Sequence, residues 1–309
     1  MKAIINFFIY IILPLISLSI YAQELPPADK YSRKDVMIKM RDGIKLNTVI
    51  FTPKDQKVKL PFLLQRDPYQ VSVMGSPEKD YYVQDMAEDG YIFVYQDIRG
   101  RYLSEGKFEM LDFGRDKTDP KSTDESTDTY DIIDWLLKNV PDNNEKVGMW
   151  GISYDAWVAL IATIDPHPAL KAISEQASPA DMFLGDDFHH NGAFRLSYGF
   201  EYAFMEEAAK TDSLFQFENY DTYEWYLKLG SLANVNKKYF HGKLPSWNDF
   251  AKHPNYDTFW KKQSLLFHLK SPKVAIQHVA GWWDAEDFTA LKRIIIHWRE
   301  MMTKIRILS

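Results

Sequence analysis

The sequence predicts an α/β protein: a mainly parallel sheet with helices on both faces, an antiparallel hairpin at one edge, and an inserted helical cap. Three observations predict it. Short apolar runs of strand length recur at residues 60–65, 91–96, 146–150, 169–174 and 273–279. Stretches with apolar residues at helical spacing separate them, as in YDIIDWLL (130–137) and AWVALIATI (156–164). At residues 147–157, VGMWGISYDAW, an apolar strand passes into a helix through a serine.

The elements follow in order. Residues 1–22 read as a secretory signal, with Lys2 first, an apolar run over 3–20, and Ala22 before a cut at Gln23. Pro14 and the shortness of the run favour a cleaved signal over an anchor helix. The sequence contains 0 cysteines, so no disulfide forms and no lipid-modified cysteine follows the signal. A periplasmic or secreted protein is expected, with no membrane contact after cleavage. Residues 23–35 are a polar leader. Val36 to Met40 and Ile44 to Phe51 alternate around Arg41-Asp42-Gly43, a hairpin with Asp-Gly at its turn. Residues 115–127 are polar and read as a loop. From about 179 to 268 the rhythm changes. Helical pieces such as Tyr202 to Ala209 alternate with aromatic-rich turns such as Tyr220 to Tyr226, which reads as the cap. The expected division is a signal at 1–22, a first core segment at 33–178, the cap at 179–268 and a return to the core at 269–309.

Composition excludes some partners. The formal net charge of -6 gives no basis for nucleic-acid binding. Aromatic residues make up 15% of the chain, which suits either a ring-lined cleft or a ring-heavy core. His189 and His190 are adjacent, without a third ligand at helical spacing, so neither a metal nor another cofactor is expected.

Ser153 is the candidate nucleophile. A serine at a sharp strand-to-helix turn raises its hydroxyl above the sheet, and Gly151 leaves room for the tight backbone. The amide of Tyr154 and the helix N-terminus then face the place where an oxyanion forms. An isolated Gly-x-Ser also suits a helix N-cap, but here strand, turn and helix agree. The usual elbow has glycine two residues after the serine, where this chain has Asp155.

Four ordered blocks extend the pattern. They are Arg66-Asp67-Pro68-Tyr69, then Tyr95-Gln96-Asp97-Ile98-Arg99-Gly100-Arg101-Tyr102 with Ser104, Glu105, Gly106 and Phe108, then Gly151-Ile152-Ser153-Tyr154, then Gly281-Trp282-Trp283-Asp284. From about residue 33 to 287 the chain resembles the cocaine-esterase (CocE/NonD) and X-Pro dipeptidyl-peptidase-like hydrolases of the α/β-hydrolase fold. Within them it is most similar to the α-amino acid ester hydrolases and the glutaryl-cephalosporin acylases. The resemblance implies catalytic roles for Ser153 and Asp284, the latter as the acid that orients a histidine. It implies oxyanion donors at the Tyr69 phenol and the Tyr154 amide. It implies recognition of a substrate α-ammonium group by Asp187, Glu286 and Asp287. Asp97, Arg99 and Arg101 it implies to be structural.

The chain also departs from the family. Ala156 stands where glycine is usual. The family's triad histidine follows the acid by some thirty residues, whereas this chain stops at Ser309. His297 is the one later histidine, inside a helical run that would hold it away from Ser153. The family's C-terminal jelly-roll domain and the last part of the sheet are also missing, and the pattern fades after Asp287. A truncation or frame disruption near residues 288–290 is the expectation, with a weak or inactive hydrolase as its consequence. The expected substrates are small acyl esters and amides, foremost α-amino acid esters, amides of the β-lactam side-chain type or short peptides, opened through an acyl-enzyme on Ser153. The alternatives are a non-catalytic fragment that binds amino-group ligands and an X-Pro dipeptidyl peptidase. Oligomeric state is not legible.

Overall fold

A computed structural model describes residues 29–110, 114–185, 187–190, 192–270, 272–284 and 292–299. The proposed signal at 1–22, and Glu286 and Asp287, lie outside the described residues.

The hairpin forms as the alternation requires. Strand β1 (Tyr31–Lys39) pairs antiparallel with β2 (Lys45–Pro53), from Tyr31 opposite Pro53 to Lys39 opposite Lys45. Gly43 closes the turn at φ 97°, a conformation that costs glycine little. The remaining strands of the main sheet are β3 (Leu60–Asp67), β4 (Ile92–Asp97), β5 (Asn143–Ile152), β6 (Leu170–Gln176) and β9 (Ala275–Val279). The seven strands lie in the order β1-β2-β4-β3-β5-β6-β9, parallel from β4 onward. A two-residue hairpin, β7 (His189–His190) with β8 (Ala193–Phe194), lies apart.

Period-2 alternation divides the core between the two faces of the sheet. Phe62, Leu64, Val94, Val147 and Met149 join one apolar cluster, and Leu63, Phe93, Tyr95 and Trp150 join another. The first cluster continues through α2 (Glu125–Asn139) and α3 (Tyr154–Ile161). All eight residues of α3 are buried, seven of them apolar or aromatic and one, Asp155, an acid. The short α1 (Gln84–Asp89) lies near the other face, where the Tyr31 hydroxyl donates to the Ala87 carbonyl (3.1 Å).

Between β6 and β9 lie α4 (Leu196–Glu207), α5 (Thr222–Leu229), the single turn α6 (Ala233–Val235), α7 (Pro245–Lys252) and α8 (Thr258–Gln263). Their rings form a core of their own around Phe200, whose centroid lies 4.6 Å from Phe240 and 4.8 Å from Phe215. Much of the aromatic content is therefore spent on packing.

Two local readings are corrected. The polar stretch 115–127 is not all loop. Helix α2 begins at Glu125 because the Asp124 carboxylate accepts the Thr127 amide while the Thr127 hydroxyl accepts the Asp124 amide, a capping box. Residues 222–226 are helical rather than a turn. The Asp221 side chain caps α5 through the Tyr223 amide (3.0 Å), and Trp225 and Leu229 bury one face four residues apart.

Candidate active site

Ser153 follows the last residue of β5 and caps α3 at φ 61° and ψ -121°. A non-glycine residue is strained there, and the surrounding bonds hold it. Its amide donates to the Gln176 carbonyl (2.8 Å) and its carbonyl accepts the Trp157 amide (3.1 Å). A Cβ on Gly151 would fall 2.3 Å from the Asp155 carbonyl carbon, so the close approach of strand and helix requires glycine. The serine is exposed while Tyr154 beside it is buried, its hydroxyl bonded to the Met110 carbonyl (3.2 Å). The Tyr154 amide opens the first turn of α3, the positive end of the helix.

The pocket at Ser153 is walled by Met110, Tyr154, Met182, Asp187, Tyr198 and Tyr202, among others. Asp187 is 7% exposed. Its carboxylate accepts the Tyr198 hydroxyl (3.0 Å), and its carbonyl accepts an Arg195 Nη1–H (2.9 Å). Tyr198 stacks on Tyr202 with centroids 5.6 Å apart. The Tyr202 hydroxyl in turn lies 2.9 Å from that of Tyr69. Burial raises both phenols' pKa above the usual range, so both keep the proton that a hydrogen-bond donor needs. Tyr198 and Tyr202 also wall a neighbouring groove of about 510 Å³, whose other sides include Glu201, Met205, Phe215 and Phe217.

Asp284 ends a turn in which its amide donates to the Gly281 carbonyl (3.2 Å). The turn follows β9, and Ala177 after β6 donates to the Val279 carbonyl (2.8 Å). The strand ends leading to Ser153 and Asp284 are thus two strand spacings apart, roughly 10 Å. His297 is elsewhere: residues 292–299 are helical, and its Nε2 meets the Leu269 carbonyl (3.3 Å). All 8 histidines are described, and none walls the Ser153 pocket. His189 is buried, stacked 4.2 Å from Phe183.

The segment implied to be structural is wired into the site's walls. The Asp97 carboxylate accepts the Val71 amide and Asn47 Nδ2, both at 2.8 Å. Arg99 is bidentate to Asp128, and buried Arg101 donates to the Pro68 carbonyl (3.1 Å) and pairs with Glu206 (3.0 Å).

Sequence reasoning missed a group of buried acids beside Tyr69. Asp67, Asp155 and Glu206 are 2%, 5% and 0% exposed. Burial is the main cause that raises Asp67 to about 7 and Glu206 to about 8, and it lifts Asp155 well above the carboxylate range, with Asp67 next. The visible signal was the acid two residues after Ser153.

Comparison with known proteins identifies the family and the fold. The family model for X-Pro dipeptidyl-peptidase (S15 family) matches residues 42–303. The chain is 26% identical over 264 residues to the cocaine esterase of Rhodococcus sp. (strain MB1 Bresler), covering 81% of this chain and 43% of that protein. Its structure is similar to an aminopeptidase from a marine sediment Thaumarchaeota archaeon, with TM-score 0.80 and 35% identity over 92% of this chain and 48% of that one. It is equally similar to an α-amino acid ester hydrolase, with TM-score 0.80 and 32% identity over 94% of this chain and 50% of that one. The chain therefore spans about half the length of these relatives. With a mostly parallel sheet, a serine on its strand-to-helix elbow and a family match over most of its length, the chain belongs to the X-Pro dipeptidyl-peptidase (S15) family of α/β-hydrolases.

Proposed function

We propose that the protein is a serine hydrolase of α-amino acid esters or amides, working through an acyl-enzyme on Ser153. The observation that carries this reading is the Asp187 carboxylate in the same pocket wall as Ser153. A substrate ammonium group held by Asp187 brings the adjacent acyl carbon over the serine hydroxyl. Attack forms the Ser153 Oγ–C bond and pushes negative charge onto the carbonyl oxygen, which the Tyr69 phenol and Tyr154 amide stabilise. Collapse expels the alcohol or amine with a proton, and water releases the acid. The groove beyond Tyr198 and Tyr202 suits the substrate's side chain. The apolar run in residues 3–20 supports export.

Such a reaction needs an imidazole between Ser153 and Asp284, and none of the 8 histidines walls the pocket. We expect these 309 residues alone to acylate slowly, through the oxyanion donors and binding. The same observation favours a second reading, a binder of amino-group ligands that does no chemistry. A fluorophosphonate probe separates the two. An adduct on wild type that is absent from Ser153→Ala supports the hydrolase. No adduct, with binding of an α-amino acid amide retained, supports the binder. Esters with and without a free α-amino group then test the role of Asp187.

A further inference from the structure

Asp155 stands two residues after Ser153, in the first turn of α3, pressed against Gly151. Its Oδ2 accepts a hydrogen bond from Gln65 Nε2 (2.7 Å). Gln65 lies on β3, two residues before Asp67, whose carboxylate accepts the Tyr69 amide (2.8 Å). Two buried oxygens of the bonded pair, Asp155 Oδ1 and Gln65 Oε1, have no partner among the described residues. Both are acceptors when the acid is ionised, and leaving two such groups buried is costly. A single proton on Asp155 relieves both. Its O–H then donates to Gln65 Oε1 while Gln65 Nε2 donates to the other carboxyl oxygen.

We propose that Asp155 and Gln65 form a reciprocal carboxylic acid–amide pair that ties the nucleophile helix to β3, making Asp155 a positioning residue that fixes Tyr69 relative to Ser153. The surroundings favour the protonated acid. Asp67 on β3 and Glu206 on α4 are further buried acids near Asp155, so an ionised Asp155 would meet like charge wherever either of them loses its proton, and Arg101 is occupied by Glu206 and Asp212. Asp97 faces Asp67 across the β3–β4 register, and the Tyr69 and Tyr202 phenols complete the enclosure. The inference deepens the hydrolase reading, because it assigns what holds the oxyanion donor, but its structural part stands on its own.

The test uses Asp155→Asn, Asp155→Leu and Gln65→Leu in the full chain. Asparagine can make both hydrogen bonds and cannot ionise, whereas leucine can make neither. Hydrogen exchange of the amides at 69–73 is read first. Leucine at either position should speed exchange there about tenfold, while asparagine keeps the wild-type pattern and the β1–β2 hairpin is unchanged in all three. The rate of Ser153 phosphonylation is read second. Asp155→Leu should lose about tenfold to a hundredfold from misplacement of the donor, and Asp155→Asn less. Wild-type exchange in Asp155→Leu, or failure of asparagine to rescue, overturns the proposal. If wild type takes no label, the nucleophile reading fails and the exchange data alone decide the pair.

Discussion

The phenol oxygens of Tyr69 and Tyr202 lie 2.9 Å apart, which joins a loop after β3 to the cap helix α4 directly at the pocket of Ser153. If one hydroxyl donates to the other, the second hydroxyl proton stays available, and under the proposed function it would meet charge forming on a substrate carbonyl.

Removing that donor should affect chemistry more than folding. Tyr69→Phe is expected to slow acylation of Ser153 by about a hundredfold. Stability read from denaturant midpoints should fall by only about 1 kcal/mol, the cost of the single hydrogen bond to Tyr202. Single-turnover kinetics beside an unfolding curve would check both.

Gly151→Ala should act through the backbone. The added methyl would sit 2.3 Å from the Asp155 carbonyl carbon, and neither strand nor helix can yield cheaply. A loss of roughly 2–4 kcal/mol is expected from overpacking, read from urea unfolding.

Asp187→Asn should change selectivity. An ester with a free α-amino group should lose affinity by about tenfold or more, as a charge-assisted hydrogen bond is replaced by a neutral one. The same ester without the amino group should be nearly unaffected. Equal losses for both would remove Asp187 from ammonium recognition.

Stability should fall as pH rises across neutrality. Asp67 and Glu206 keep their protons in the folded state up to about 7 and 8, whereas their unfolded counterparts ionise near 3.8 and 4.5. Between those limits the folded state binds more protons, so each unit of added pH favours unfolding. On these two groups the melting temperature should decline from about pH 4 to about pH 8 and then level off. Asp67→Asn should flatten the decline.

The elbow was legible because three signals coincide at Ser153: an apolar run before it, Gly151, and an apolar helix after it. Tyr69 and Asp284 were legible only through resemblance, since a tyrosine after proline and an acid before a helix have ordinary uses. Asp155 read as a departure from glycine, and its meaning depends on Gln65, ninety residues away in sequence. Helix α5 was hidden because its rings carry no clear period, and its start depends on the Asp221 cap. The cap core around Phe200 is set by contacts between distant segments that no local pattern encodes.

The nucleophile at position 153 is tested most directly by trapping the acyl group. The protein would be incubated with an activated p-nitrophenyl ester of an α-amino acid, quenched in acid and digested, and the adduct located by mass spectrometry. The account predicts an acyl group on the peptide that contains Ser153, absent from Ser153→Ala. An acyl group on another residue, or equal acylation of the variant, would contradict it.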